Sequence, residues 1–178
     1  MKQYQKTSRL PTSEGSIPRQ RIDALLEEGI KFPALVVAAG AGFGKTQAVA
    51  DFLNRSDYRS VWMQLTLLDN LPMRFWESFV YTVSLHRPAM AEKLKELGFP
   101  DSLYKFNKFL HLFVEELYTD NQFVVFVFDD FQLVQDKSVS QFFEYFVSAN
   151  LENICLLFIT RKLESYSFNT RVYVFLLI

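Results

Sequence analysis

Cysteine is almost absent from this sequence: Cys155 stands alone in 178 residues, which excludes an internal disulfide framework. It lies inside an apolar run and reads as a buried structural thiol rather than a reactive one. Histidine is nearly as scarce, and His86 and His111 with a single cysteine do not compose a zinc site. A basic excess is missing too, the net charge being −1, so a dedicated nucleic-acid-binding domain is not expected. The apolar runs stop at about seven residues, far short of the roughly 20 that a membrane helix needs. The polar start, Met1 to Pro11, has no apolar segment of the signal-peptide kind, which makes the cytoplasm the expected address. Glycine is limited to six, so a cluster of glycines is no by-product of composition.

What remains is an ordinary globular composition, 49% hydrophobic and 22% charged, unusual only in its 19 phenylalanines. A chain of this length fits one domain that buries about 70% of its unfolded surface. Residues 1–16 read as a flexible, poorly ordered lead-in and 17–178 as the folded domain. No internal repeat or low-complexity tract interrupts it.

Three of the six glycines fall within Ala39-Gly40-Ala41-Gly42-Phe43-Gly44-Lys45-Thr46. An apolar run, Ala34 to Ala38, precedes them, and an amphipathic segment with Ala48, Val49, Phe52 and Leu53 on one side follows. Strand, glycine-rich loop and helix in that order make a phosphate-binding P-loop. Glycines let successive N–H groups turn inward around the anion, and the helix presents its positive end. Lys45 then reaches the β- and γ-phosphates and the Thr46 hydroxyl ligates Mg²⁺. The general pattern begins with glycine where this chain has Ala39, which requires a backbone geometry there that an L-residue can adopt.

The rest of the chain alternates. Ser60 to Leu65 reads as a second strand, and Pro72 opens a helix carrying Phe75, Trp76, Phe79, Val80 and Val83. Pro88 opens a short helix that Gly98 terminates, and Asp101 or Ser102 caps a longer one. Phe123 to Phe128 and Ile154 to Ile159 are continuous apolar runs, the mark of strands buried on both faces. A helix with Val139, Phe142, Phe143, Phe146 and Val147 joins them, and Val172 to Ile178 reads as a fifth strand. The expected fold is α/β, a parallel sheet of about five strands with helices on both faces. The phenylalanine stripes belong to its core.

Ligands of such sheets gather at the carboxyl ends of the strands. Three strand ends carry polar chemistry here: the P-loop, Asp129-Asp130 and Thr160-Arg161. Two carboxylates after a hydrocarbon run are costly unless a cation or solvent meets them, and nucleotide-bound Mg²⁺ is such a cation. Asp129 is expected to hold the metal and Asp130 to polarise the attacking water. If both belong to the strand, they point to opposite faces. Arg161 suits a sensor of the γ-phosphate, or an ordinary surface ion pair.

The order of these pieces resembles the N-terminal ATPase domain of the MalT-like, large LuxR-type transcription regulators, of the STAND class of P-loop ATPases. The likeness spans roughly residues 17–164. Ile17-Pro18-Arg19-Gln20-Arg21-Ile22 is similar to the family's motif ahead of the P-loop, and Ala39 to Thr46 to its Ala-Pro-Ala-Gly-(aromatic)-Gly-Lys-Thr loop. Pro72-Met73-Arg74-Phe75-Trp76 is similar to its Pro-x-Arg-Phe-Trp signature. Phe126 to Phe131 matches the Walker B strand, and Phe158 to Arg161 the sensor strand.

The resemblance implies that Ile17 and Arg19 lie near the adenine and that Gly40, Ala41, Gly42, Phe43, Gly44, Lys45, Thr46 and Gln47 surround the phosphates. Gln47 stands where the family has a second Thr facing the α-phosphate. Thr46 and Asp129 are implied at Mg²⁺, Asp130 at the water and Arg161 at the γ-phosphate. Family members continue into winged-helix, sensor-repeat and helix-turn-helix parts, before which this chain ends. The reading is a slow ATPase that binds ATP and Mg²⁺ as a nucleotide switch. Its expected partners are downstream regulator domains, or further copies in the ATP state, without direct DNA or membrane contact. Alternatives are a non-catalytic nucleotide-binding or interaction fragment and, less favoured, a AAA+-like ATPase. An acid of the wrong length, Asp130 where many such loaders have Glu, argues against the last.

Overall fold

A computed structural model of the chain describes residue 11 and residues 19–118, 123–162 and 172–176. The lead-in, residues 1–16, lies outside them except for Pro11, whose carbonyl accepts a hydrogen bond from Asn54 at 3.0 Å.

The elements run α1 (Gln20–Gly29), β1 (Ala34–Ala38), α2 (Lys45–Arg55), β2 (Arg59–Gln64), α3 (Pro72–Ser84), α4 (Pro88–Leu97), α5 (Leu103–Tyr118), β3 (Val124–Asp129), α6 (Lys137–Ser148), β4 (Ile154–Thr160) and β5 (Val172–Leu176). All pairs in the sheet are parallel and its order is β2-β3-β4-β1-β5. The α/β class and the five strands agree with the sequence reading, and Val172–Leu176 joins β1 as an edge strand.

Local chemistry explains the boundaries. Pro72 and Pro88 each sit in the first turn of a helix, where a missing N–H costs nothing. Asp136 caps α6, accepting from the N–H groups of Ser138 and Val139 at 2.9 and 3.1 Å. Gly98 ends α4 in a positive-φ conformation.

β1, β3 and β4 are buried along their whole length, as continuous apolar runs require. Alternation divides their side chains between two cores. Leu35, Val37, Val125, Val127, Leu157 and Ile159 face α1 and α2. Val36, Phe126, Phe128, Leu156 and Phe158 face α3 to α6. The second core is mostly aromatic. Phe142 has its ring centroid 5.2 to 6.3 Å from those of Phe75, Trp76, Phe79, Phe99, Phe106 and Phe109. Trp76 satisfies its buried indole N–H on the Leu94 carbonyl at 3.1 Å, which ties α3 to α4. This packing covers one face of the sheet, with residues of β1 to β4 joined to α3 to α6.

Candidate functional site

β1 delivers its last residues into the loop Ala39 to Gly44, and α2 begins at Lys45. Ala39 has no positive φ and its N–H donates to the Thr160 carbonyl at 3.3 Å, so the alanine fits where glycine is usual. The left-handed positions fall instead on Gly42 (φ 82°) and Gly44 (φ 68°), where an L side chain would be strained. Gly40, Ala41, Gly42 and Phe43 are exposed at the loop's crest. The Arg19 guanidinium rests against the loop: a Cβ placed on Gly44 would stand 3.5 Å from its Nη2. Ile17 lies outside the described residues.

Lys45 is only 9% exposed and folds back over the loop. Its Nζ donates to the carbonyls of Ala39 and Gly40 at 2.8 and 2.9 Å. Burial holds the ammonium below its usual pKa, with the charge of Arg161 acting the same way and Asp129 and Asp130 opposing. Gln47, also on the first turn of α2, turns its amide along the helix and donates to the buried Asp51 at 2.7 Å.

Thr46 and Asp129 meet across the sheet, with the hydroxyl 3.2 and 3.1 Å from the two carboxylate oxygens. Asp129, the last residue of β3, is 4% exposed. Burial raises its pKa, and the charge of Asp130 adds to this. The Asp130 N–H, which donates at 2.9 Å, the Thr46 hydroxyl and the charge of Lys45 favour the ionised form instead. No cation makes an ion pair with it among the described residues. A hydroxyl beside a buried carboxylate in want of a positive charge is a donor set that fits Mg²⁺, whose other ligands are phosphate oxygens and water.

Asp130 departs from the expected alternation. The strand ends at Asp129, and Asp130 takes a left-handed conformation (φ 56°, ψ 39°) that heads a 3-10 turn, Phe131–Leu133. For an L-residue this costs roughly 1–2 kcal/mol, less for Asp than for most. It turns the carboxylate among polar side chains. Oδ1 accepts from Gln132 Nε2 at 2.8 Å and lies 3.5 Å from Arg161 Nη2, while Oδ2 lies 3.4 Å from Gln64 Nε2. Arg161 therefore makes the ion pair that was its alternative reading, and makes it with a residue of the same cluster.

Sequence reasoning passed over three side chains here. Gln64 and Gln132 touch Asp130. Asn70 joins the turn after β2 to the loop after β3, donating to the Leu133 carbonyl at 2.6 Å and accepting from the N–H groups of Gln135 and Asp136 at 2.6 and 3.1 Å. The one signal for Gln132 was its place two residues after the paired carboxylates.

No protein-family model matches the chain. It is 27% identical over 160 residues to the HTH-type transcriptional regulator MalT of Serratia proteamaculans (strain 568), covering 89% of this chain and 17% of that protein. Against MalT of Yersinia enterocolitica serotype O:8 / biotype 1B the identity is 24% over 160 residues, with the same two coverages, 89% and 17%. The chain thus spans less than a fifth of the curated relatives it matches. Among solved structures, the Walker-type ATPase PABY2304 of Pyrococcus abyssi superposes with a TM-score of 0.62 at 15% identity, over 95% of this chain and 56% of that one. Cdc6p of Pyrobaculum aerophilum does so with a TM-score of 0.53 at 18% identity, over 95% and 46%. The fold is that of the Walker-type P-loop ATPases, and both likenesses fit an N-terminal ATPase domain of MalT-like type.

Proposed function

We propose that this chain binds ATP with Mg²⁺ and hydrolyses it slowly, as the cytoplasmic nucleotide switch of a MalT-like regulator. The observation that carries the reading is the contact of Thr46 with Asp129, which brings a hydroxyl and a buried carboxylate to the foot of a glycine-rich loop. When bound, Mg²⁺ would be held by these two residues and would neutralise charge on the phosphates. Lys45 would exchange the Ala39 and Gly40 carbonyls for the β- and γ-phosphates. Gly40 to Gly44 and the first turn of α2, with Thr46 and Gln47, would surround the phosphates, and by the resemblance Arg19 and Ile17 would contribute to the site of the base.

Asp130 would take a proton from, or orient, the attacking water. Arg161 would offer its guanidinium to the terminal phosphate and so tell triphosphate from diphosphate. Slow turnover suits a switch, which must dwell in its ATP state. In that state the chain would engage the regulator's other domains or further copies of itself.

Calorimetric titration with ATP and Mg²⁺, followed by single-turnover measurement of ADP release, tests the reading. The parent chain should bind and turn over slowly. Lys45→Ala should lose measurable affinity while keeping its circular dichroism, and Asp130→Asn should bind ATP but release ADP more slowly. Equal affinity in the parent and a folded Lys45→Ala would remove the P-loop assignment. Binding without any ADP release would leave a non-catalytic nucleotide-binding domain.

A further inference from the structure

Gln132 spans the space between the two residues proposed to act at the terminal phosphate. Its Nε2 donates to Asp130 Oδ1 at 2.8 Å and its Oε1 accepts the Arg161 N–H at 3.0 Å. The same Asp130 oxygen stands 3.5 Å from Arg161 Nη2, so the three residues close a ring of contacts between the ends of β3 and β4. A primary amide suits this place because one end donates to a carboxylate and the other accepts from a backbone N–H. The reverse orientation would set oxygen against oxygen and N–H against N–H, so the neighbours determine which way the amide faces.

The turn that carries Gln132 is itself held. Leu133 N donates to the Asp130 carbonyl and Val134 N to the Phe131 carbonyl, both at 3.0 Å. Phe131, 1% exposed, packs its ring 4.5 Å from Phe158 of β4 and 5.0 Å from Phe143 of α6. The amide is thus presented from a rigid base, which is what precise placement of a neighbouring carboxylate requires.

We infer that Gln132 is a positioning residue that couples the water-orienting Asp130 to the phosphate-reading Arg161. It holds the Asp130 carboxylate in one orientation and the Arg161 backbone in one place, so each is set by the same amide. This rests on the ATPase reading of the site and adds the coupling to it.

Two variants separate the two arms. Gln132→Ala removes both contacts. Gln132→Glu keeps an oxygen for the Arg161 N–H but has no donor for Asp130 and repels it. Single-turnover hydrolysis should fall about tenfold or more in both, with ATP affinity within about twofold of the parent. The preference for a slowly hydrolysed ATP analogue over ADP should weaken about threefold or more in Gln132→Ala and persist in Gln132→Glu. In the nucleotide-free chain, the Arg161 amide should exchange its hydrogen faster in Gln132→Ala than in the parent or in Gln132→Glu.

Parental hydrolysis and parental nucleotide preference in both variants would overturn the coupling while leaving the ATPase reading intact. So would parental exchange at Arg161 in Gln132→Ala, a readout that needs no nucleotide. A parent chain that binds no nucleotide would instead overturn the reading of the site, and the coupling with it.

Discussion

Thr46 and Asp129 are 83 positions apart in the chain, yet the Thr46 hydroxyl lies 3.1 and 3.2 Å from the two Asp129 carboxylate oxygens. They meet because only β4 stands between β1, which leads into Thr46, and β3, which ends at Asp129. The contact places an ionisable group in a buried setting, and this has a consequence for stability.

Burial holds the Asp129 carboxyl above its ordinary value of 3.8. The folded chain then binds this proton more tightly than the unfolded chain does. Stability contributed by the protonated form is therefore lost as pH rises from the unfolded pKa through the folded one, and stays lost at neutral pH. Asp129→Asn removes the charge and keeps an oxygen for Thr46. The nucleotide-free variant should melt higher than the parent at pH 7. That advantage should shrink toward pH 4, and Mg²⁺-dependent nucleotide affinity should fall. Scanning calorimetry across pH checks it, and equal melting at pH 7 would contradict the burial argument.

Phe142 stands in the middle of the aromatic core and is 2% exposed. Phe142→Ala should cost about 3–5 kcal/mol, from lost burial and a cavity that so many fixed rings cannot close. Leu67→Ala, at a residue 70% exposed, should stay within about 0.5 kcal/mol of the parent. Urea denaturation measures both, and a loss under about 1 kcal/mol at Phe142 would show that the core relaxes around the change.

Cys155 is fully buried in β4, and burial pushes its thiol up to about 12. A thiol reagent at pH 8 should leave it unmodified in the native chain and react at once in guanidinium. Rapid modification under native conditions would place the thiol in a more open setting than β4 provides.

With a net charge of −1, the chain carries no excess of the positive charge that drives non-specific binding to DNA phosphates. Fluorescence anisotropy with promoter DNA should show no sequence-specific binding at physiological salt, with or without ATP. Tight binding that an unrelated duplex fails to reproduce would refute this.

Hydrophobic period and turn chemistry are local, and they made most elements legible in the sequence. Ala34–Ala38, the helix from Pro72 and the strand before Asp129 could each be read from about ten residues of context. The glycine-rich loop was legible for the same reason, since its glycines, lysine and threonine lie on one short stretch of backbone. The polar ends of β3 and β4 could be suspected as partners of that loop because parallel sheets put strand ends on one side.

Tertiary structure alone decided the order β2-β3-β4-β1-β5, which depends on which apolar faces pack best over long separations. That order brings Gln64, Asp130, Gln132 and Arg161 from three strand ends into one cluster. Glutamine has no strong local preference, and on a chain read alone it looks like any surface residue. Its role at Asp130 exists only once a left-handed turn has swung that carboxylate out of the strand's alternation. The sequence could name the charged groups, whereas the neutral amides that orient them acquire meaning from distances that only the fold creates.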